Sequence, residues 1–176
     1  MITKKKHSLL FICLGNICRS PAAEGVMKAK VHECGLDSEF FIDSAGIGDW
    51  HVGQLPDSRM RDRGARRGYR FDSHARQIRQ SDFDDFDLLL VMDKANYKAV
   101  TAQASSEEAR SKVRMLTDYL VEHSGTDVVP DPYYGDLSDF DYALDLIEEI
   151  VCSYYFSQSF ILTNKNFYHS IFRATH

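Results

Sequence analysis

The chain has 176 residues, of which 44% are hydrophobic and 27% charged, so it is long enough for one globular domain and too apolar to be disordered. Its 26 acidic and 21 basic residues give a net charge of -5, which argues against a broad nucleic-acid-binding face. The four cysteines are too few for a disulfide scaffold, and no apolar run reaches the roughly 20 residues that a membrane span needs. We therefore expect a soluble, cytoplasmic protein that does not span a membrane, in which any anion site is local.

Apolar runs and turn residues predict strands that alternate with helices along the chain. A buried strand is expected over residues 9–14, and a helix follows with Ser20 as its N-cap, Pro21 at its first position and Gly35 at its end. Further strands are expected over residues 40–42, 86–92 and 113–116, and further helices over residues 58–68, from about 94, and over 140–156. This alternation predicts an α/β fold, a single three-layer domain in which a central four-stranded parallel sheet is flanked by helices.

The end of the chain differs in composition from the rest. Residues 153–176 contain no Asp or Glu and are crowded with aromatic side chains. We assign residues 1–156 to the domain and residues 157–176 to an aromatic-rich tail. Packing of the tail on the domain, membrane contact and self-association through the tail all stay open, and the composition favours packing or association.

The segment between the first strand and the first helix has the features of a phosphate-binding loop. Gly15 and Asn16 stand where unusual backbone angles are needed, and a helix N-terminus follows, so that successive N–H groups can point at one anion. The planar guanidinium of Arg19 can hold two oxygens of a phosphoryl group. The predicted loop comprises Leu14, Gly15, Asn16, Ile17, Cys18, Arg19 and Ser20.

Cys13, which ends the strand before this loop, is the predicted nucleophile. A helix N-terminus and a nearby cation favour the thiolate form of a cysteine. The hydroxyl of Ser20 can donate a hydrogen bond to that thiolate, and the amide of Asn16 can lock the loop. The alternative, a buried core thiol beside a surface arginine, does not explain why these features occur together.

Cys13 to Pro21 resembles the nucleophile loop of the low-molecular-weight protein tyrosine phosphatases, C-x-G-N-x-C-R-S-P. That family carries its general acid in a D-P-Y-Y-G turn, and Asp131 to Gly135 has this sequence. Four further segments resemble the family's intervening landmarks: residues 43–46, 57–59, 74–76 and 92–93. The resemblance covers about residues 7–155 and leaves the aromatic tail out.

The resemblance implies a metal-independent, cofactor-free protein tyrosine phosphatase that works through a cysteinyl-phosphate intermediate. Cys13 attacks phosphorus, Arg19 stabilises the equatorial oxygens, and Asp131 protonates the leaving tyrosine oxygen before serving as the base for water. The implied substrate is a phosphotyrosine-containing protein or a small aryl phosphate.

Further roles are implied by the same resemblance. Asn16, Ser20, Ser44 and His74 are expected to form a network behind the loop, and Asp93 is expected to hold Arg19. Ile17, Trp50, Tyr133 and Tyr134 are expected to wall the substrate cleft. Cys18 is a candidate for trapping an oxidised Cys13 in a reversible disulfide, whereas Cys34 and Cys152 are assigned to packing.

Four other functions are weighed against this one. Thiol-dependent arsenate reduction on the same scaffold needs a relay of further cysteines, and residues 80–90 contain none. Phosphoarginine phosphatases of this type tend to have Thr where Ile17 stands. A phosphotyrosine-binding module that has lost catalysis has no use for Cys13 or Asp131. Nucleic-acid binding by the Arg-rich residues 59–79 is disfavoured because Asp residues interleave with them, which predicts an ion-paired face.

Overall fold

The computed structural model describes residues 7–120 and 125–172, and the side chains as far as residue 154. It shows a four-stranded sheet in the order β2-β1-β3-β4, in which every neighbouring pair is parallel. The strands are β1 (His7–Cys13), β2 (Phe40–Gly46), β3 (Leu88–Val91) and β4 (Val113–Met115). The helices are α1 (Arg19–Glu33), α2 (Ser58–Arg66), α3 (Asp82–Asp85), α4 (Lys94–Thr101), α5 (Glu107–Ser111) and α6 (Leu137–Phe172), with a 3-10 turn at Leu116–Tyr119.

Helices cover both faces of the sheet, which confirms the predicted three-layer α/β architecture. Because side chains alternate along a strand, Leu9 and Phe11 of β1 face one layer while Leu10 and Ile12 face the other. The first layer packs buried residues of α1, α2 and α6, and the second packs residues of α3, α4 and α5. The sheet is therefore buried on both sides, as its continuous apolar strands predict.

Strand β2 is longer than predicted. It continues beyond residue 42 as far as Gly46, and its last four residues pair with Leu10 to Cys13 of β1. The polar pair Asp43 and Ser44 hides this continuation in the sequence. Ser44 is 2% exposed, and hydrogen bonds to other side chains let a hydroxyl occupy a buried strand position.

Two helix ends and two short helices differ from expectation. Helix α2 stops at Arg66 because Gly68 adopts φ 85°, and the N–H groups of Gly68 and Tyr69 return to the carbonyls of Ala65 and Gly64. Helix α1 begins at Arg19, so Ser20 is not its N-cap. The helices α3 and α5, of four and five residues, are too short to leave a periodic signal in the sequence.

The last helix passes the predicted domain boundary. Helix α6 starts at Leu137 and runs through the 157–172 part of the tail. Its contacts with α1 and α2 pack Phe140, Leu144, Ile147 and Val151 into the first core layer. Among the residues that the structure describes, no helix is both long enough and apolar enough to cross a membrane.

Candidate active site

The loop from residue 14 to residue 18 joins β1 to α1 at the carboxyl edge of the sheet. Asn16 has φ 57°, the left-handed conformation that asparagine tolerates better than most residues. The expectation of an unusual angle at Gly15 is wrong, because Gly15 is not among the residues with positive φ. A Cβ at Gly15 would lie 3.0 Å from the His51 ring, a close contact that a larger residue could make only if the ring shifted.

The carbonyl groups of this loop turn away from its centre. Those of Cys13, Leu14 and Ile17 accept hydrogen bonds from the N–H groups of Ile47, Gly48 and Asp57 at 2.8 to 3.0 Å. Within the described part of the chain, none of the N–H groups of residues 14–18 donates to another protein group. A ring of backbone donors is thus available to an anion.

Arg19 reaches the loop centre from the first position of α1 and is 2% exposed. Its NH1 donates to Asp93 Oδ2 at 2.7 Å and to the carbonyl of Val129 at 3.1 Å, while NH2 donates to Asp131 Oδ2 at 2.8 Å. Its Nε is buried and has no partner among the described residues. NH1 and one hydrogen of NH2 are therefore anchored, and the Nε hydrogen and the second NH2 hydrogen have no protein partner among the described residues.

The groups around Arg19 stabilise its positively charged form. Burial alone would lower the pKa of Arg19, but the negative charges of Cys13, Asp131 and Asp93 more than offset this and raise it. Asp93 is fixed in turn, because its other oxygen accepts from the N–H of Asn96 and so caps α4.

A chain of side-chain hydrogen bonds lies behind the loop. The amide nitrogen of Asn16 donates to Ser20 Oγ at 2.8 Å and to Ser44 Oγ at 2.9 Å, and its oxygen accepts from the N–H of Arg76 at 2.9 Å. These three bonds fix which way the Asn16 amide points. Ser20 Oγ, which accepts from Asn16, lies 3.0 Å from Cys13 Sγ and can donate its proton to the sulfur, with the carbonyl of Ala45 as a second acceptor at 3.4 Å.

The far end of this chain is Glu24, which the sequence analysis did not single out. Its carboxylate is 3% exposed, accepts from Ser44 Oγ at 2.5 Å and pairs with Lys28 Nζ at 2.5 Å. Since a carboxylate only accepts, Ser44 must use its proton on Glu24 and present its lone pairs to Asn16. The signal in the sequence was a single acid on the buried face of α1, between Ala23 and Met27.

His74, expected in this network, is elsewhere. Its side chain is exposed, and none of the hydrogen bonds of the described network reaches it. The backbone of Arg76, two residues further on, takes the corresponding place beside Asn16. The prediction for His74 is corrected accordingly, because its side chain is exposed at the surface whereas the network is buried.

The loop forms the floor of a cleft of about 350 Å³. Ile17, Asp131 and three aromatic residues line it, namely Trp50, Tyr133 and Tyr134. Trp50 is 65% exposed and Tyr134 is 96% exposed, so they form the outer rim of the cleft. Tyr133 is 36% exposed and forms a more buried part of the lining. His51, missed in the sequence, also lines the cleft between Gly15 and Tyr133.

The second cysteine of the loop is a buried, neutral thiol. Burial, followed by the negative charge of Asp57, raises the pKa of Cys18 well above its ordinary value. Cys34 is exposed, so its assignment to packing is wrong, and Cys152 is half-buried. In the described part of the chain, no three His, Cys, Asp or Glu side chains are grouped to hold a metal ion.

Comparison with known proteins gives one consistent family. Residues 8–160 match the sequence profile described as low molecular weight phosphotyrosine protein phosphatase. A relative in Synechocystis sp. that carries the low-molecular-weight protein-tyrosine-phosphatase name is 48% identical over 141 residues, which cover 80% of this chain and 89% of the relative.

Solved structures agree in fold. A protein tyrosine phosphatase from Entamoeba histolytica, with Hepes in its active site, superimposes with a TM-score of 0.83 at 40% identity and covers 87% of this chain and 97% of its own. A Drosophila arginine phosphatase superimposes with a TM-score of 0.79 at 29% identity and covers 85% of this chain and 96% of its own.

Proposed function

This chain belongs to the low-molecular-weight phosphotyrosine protein phosphatase family, and from that premise we propose that it hydrolyses phosphotyrosine monoesters with Cys13 as nucleophile, Arg19 as phosphate-binding cation and Asp131 as general acid. The observation that carries the proposal is the geometry of Arg19. Its Nε has no protein partner, and its NH2 is held by a carboxylate at the edge of the cleft. Nε and NH2 together form the fork that binds two phosphoryl oxygens.

Substrate binding rearranges the contact between Arg19 and Asp131 in this scheme. The phosphate takes the loop N–H groups, the Nε hydrogen of Arg19 and the NH2 hydrogen that Asp131 does not use, and Asp131 turns from NH2 to the ester oxygen in order to protonate it. Asp131 carries the proton at this point, because the leaving oxygen takes one from it. The carboxyl group is then ready to donate a proton to the ester oxygen above it.

The first chemical step transfers the phosphoryl group to sulfur. The Cys13 thiolate attacks phosphorus in line, the bond from phosphorus to the tyrosine oxygen breaks, and Asp131 gives its proton to that oxygen. Arg19 and the loop N–H groups stabilise the three equatorial oxygens. The hydroxyl of Ser20, 3.0 Å from the sulfur, is placed to stabilise charge there.

The second step hydrolyses the cysteinyl-phosphate and regenerates the free enzyme. Asp131, now a carboxylate, takes a proton from water, which attacks phosphorus and breaks the bond to sulfur. Inorganic phosphate and the Cys13 thiolate result, and the Ser20 hydroxyl donates to the departing sulfur. The side chains around the site supply every proton transfer in this scheme.

Arsenate reduction is a weaker candidate on this geometry. Cys34 directly follows the end of α1, and a helix of 15 residues places it roughly 20 Å from the loop. Such a thiol is too distant to relay electrons from Cys13 without unfolding of the helix. A binding module without catalysis is also disfavoured, since Cys13 and Asp131 both line the cleft.

Phosphoarginine is the alternative substrate that deserves a direct comparison, because a Drosophila arginine phosphatase shares the fold. Ile17 lines the cleft with an apolar side chain, and aromatic residues form the rim. These contacts suit a phenyl ring better than a charged guanidinium. We therefore propose a phosphotyrosine protein or a small aryl phosphate as substrate, in the cytoplasm, where the four free thiols stay reduced.

The proposal is tested by hydrolysis of p-nitrophenyl phosphate at about pH 5.5 in excess chelator, followed by phosphotyrosine and phosphoarginine. We expect the wild type to be active with chelator present and Cys13→Ser to be inactive. Asp131→Asn should lose on the order of a hundredfold on phosphotyrosine. An inactive wild type, or a Cys13→Ser variant that keeps its activity, would contradict the proposal. Faster turnover of phosphoarginine than of phosphotyrosine would reassign the substrate.

A further inference from the structure

The turn that carries Asp131 is held from outside by side chains of two other elements. Inside the turn, Asp131 Oδ1 accepts from the N–H of Tyr133 at 3.2 Å, and the N–H of Gly135 donates to the Pro132 carbonyl at 2.9 Å. The Asp131 side chain is 39% exposed. Arg19 reaches it from the loop, but in the proposed mechanism Asp131 gives up that contact in order to protonate the ester oxygen. Something else must then keep the turn in place.

Arg59, the second residue of α2, makes the contact that remains. Its NH2 donates to the carbonyl of Tyr133 at 3.1 Å. Its Cζ lies 4.5 Å from the ring centroid of Phe140 and 5.7 Å from that of Tyr133. Phe140 is fully buried in α6, so the guanidinium is sandwiched between a fixed ring and the ring of the turn.

Arg59 is itself immobilised by Asp57. The Asp57 carboxylate accepts from Arg59 Nε at 3.0 Å and from Arg59 NH2 at 2.8 Å, a two-point contact that fixes the plane of the guanidinium. The same carboxylate caps α2 by accepting from the N–H of Arg59 at 2.8 Å. An arginine held in this way loses little freedom when it binds the turn.

Asp57 also connects this arrangement to the nucleophile loop. Its N–H donates to the carbonyl of Ile17 at 2.8 Å. A continuous path of short contacts therefore runs from the loop through Asp57 and Arg59 to the carbonyl of Tyr133, two residues from Asp131. The path does not use Arg19 and does not occupy the phosphate position.

We propose that Arg59 is a positioning residue for the general acid, which sets the height of Asp131 above the nucleophile loop while phosphate occupies Arg19. This inference deepens the proposed function and rests on it. Proton transfer depends on placement to within about 1 Å, so a loose turn lowers the rate even where the acid itself is intact. Arg59 therefore affects the steps in which Asp131 gives or takes a proton, and kcat/KM reports the first of them.

The choice of leaving group separates positioning of the acid from a general structural role. A phosphate ester of a strongly acidic phenol, such as 2,4-dinitrophenyl phosphate, leaves without protonation, whereas the tyrosine oxygen needs the proton. For Arg59→Gln we expect kcat/KM to fall on the order of tenfold on phosphotyrosine and less than about twofold on 2,4-dinitrophenyl phosphate. Arg59→Lys, which keeps the charge and loses the fork, should lie between the wild type and the glutamine variant.

Arg66→Gln is the matched control, since Arg66 lies on the same helix, is 65% exposed and pairs with Asp62. It should leave both substrates unchanged. Combining Arg59→Gln with Asp131→Asn should add no further loss on phosphotyrosine, because both changes remove the same proton transfer. Equal losses on the two substrates, or no loss on either, would overturn the proposal.

Two further results keep the test decisive. If melting shows that Arg59→Gln does not fold, Arg59→Lys carries the comparison, and an equal loss on both substrates again overturns the proposal. If Asp131→Asn shows no preference for the good leaving group, the acid role of Asp131 fails by itself. The two proposals thus fail by different observations.

Discussion

Asn16 uses its whole side chain at once. Both amide hydrogens are donated, one to Ser20 and one to Ser44, and the oxygen accepts from the N–H of Arg76. An aspartate would lack the two donors, and most other residues resist the φ of 57°. A single residue therefore joins the loop, strand β2 and the segment before α3, and orients the hydroxyl that reaches the nucleophile.

Cys18 leads to a prediction about oxidation. Because burial raises the pKa of its thiol, Cys18 stays neutral, and peroxide should oxidise Cys13 first, to a sulfenic acid. The Cys18 sulfur then attacks that sulfur, water leaves, and a disulfide forms. After mild peroxide treatment, mass spectrometry should find a bridge between Cys13 and Cys18, and dithiothreitol should restore the activity.

The control is Cys18→Ala, which leaves the nucleophile in place. In this variant the same dose of peroxide should give a sulfinic acid at Cys13 and a loss of activity that dithiothreitol does not reverse. Irreversible loss in the wild type, with no bridge detected, would count against the role of Cys18.

At the scale of elements, α2 is fastened to α6 by ion pairs. Arg67 NH1 donates to Asp145 at 2.7 Å and to Glu148 at 2.6 Å, and its NH2 donates to Asp141 at 3.1 Å. Arg63 makes a two-point contact with Asp141. Arg63 and Arg67, two cations of the Arg-rich segment, are therefore engaged within the fold.

Replacing Arg67 with Met keeps the apolar stem and removes the charge. We expect a loss of about 1–2 kcal/mol in the free energy of unfolding near pH 7, because three carboxylates lose their shared cation. Urea denaturation measures the loss. Arg66→Met should change it by less than about 0.5 kcal/mol, since Arg66 is exposed.

The effect of Arg67→Met should depend on pH in one direction. The pKa of Asp141 lies below its ordinary value of 3.8, because hydrogen bonds from Arg63 and Arg67 lower it by more than burial raises it. A carboxylate with a lowered pKa stabilises the fold above that value, and the contribution is lost as the pH falls through the lowered pKa. The difference between wild type and variant should therefore shrink below about pH 4, and a difference that grows there would contradict this assignment.

At the scale of the whole molecule, the described residues of the site end well before the chain does. The last described residue that lines the cleft is Tyr134, and the family profile stops at residue 160. The roles left open for the aromatic tail, packing, membrane contact and self-association, fall on side chains outside the described residues. The role of the tail therefore stays a prediction.

Deleting residues 157–176 should leave catalysis intact. We expect kcat and KM for p-nitrophenyl phosphate within about twofold of the full chain, because no residue beyond Tyr134 lines the cleft among those whose side chains the structure describes. Circular dichroism and melting of the shortened chain provide the control for folding. Loss of the folded state would show that the tail is part of the core.

The sequence alone determined the α/β class, the parallel sheet and the loop between β1 and α1. Each of these is predicted by residues that are close together in the sequence: apolar runs, glycine and asparagine at a turn, and two motifs whose residues are contiguous. Only the tertiary structure decided that Glu24 ends the network, that His74 lies outside it and that Arg59 reaches the acid turn. The residues in these contacts are far apart in the sequence, by 74 positions for Arg59 and Tyr133, so no local pattern predicts the contact. Packing of α1, α2 and α6 on one face of the sheet brings them together.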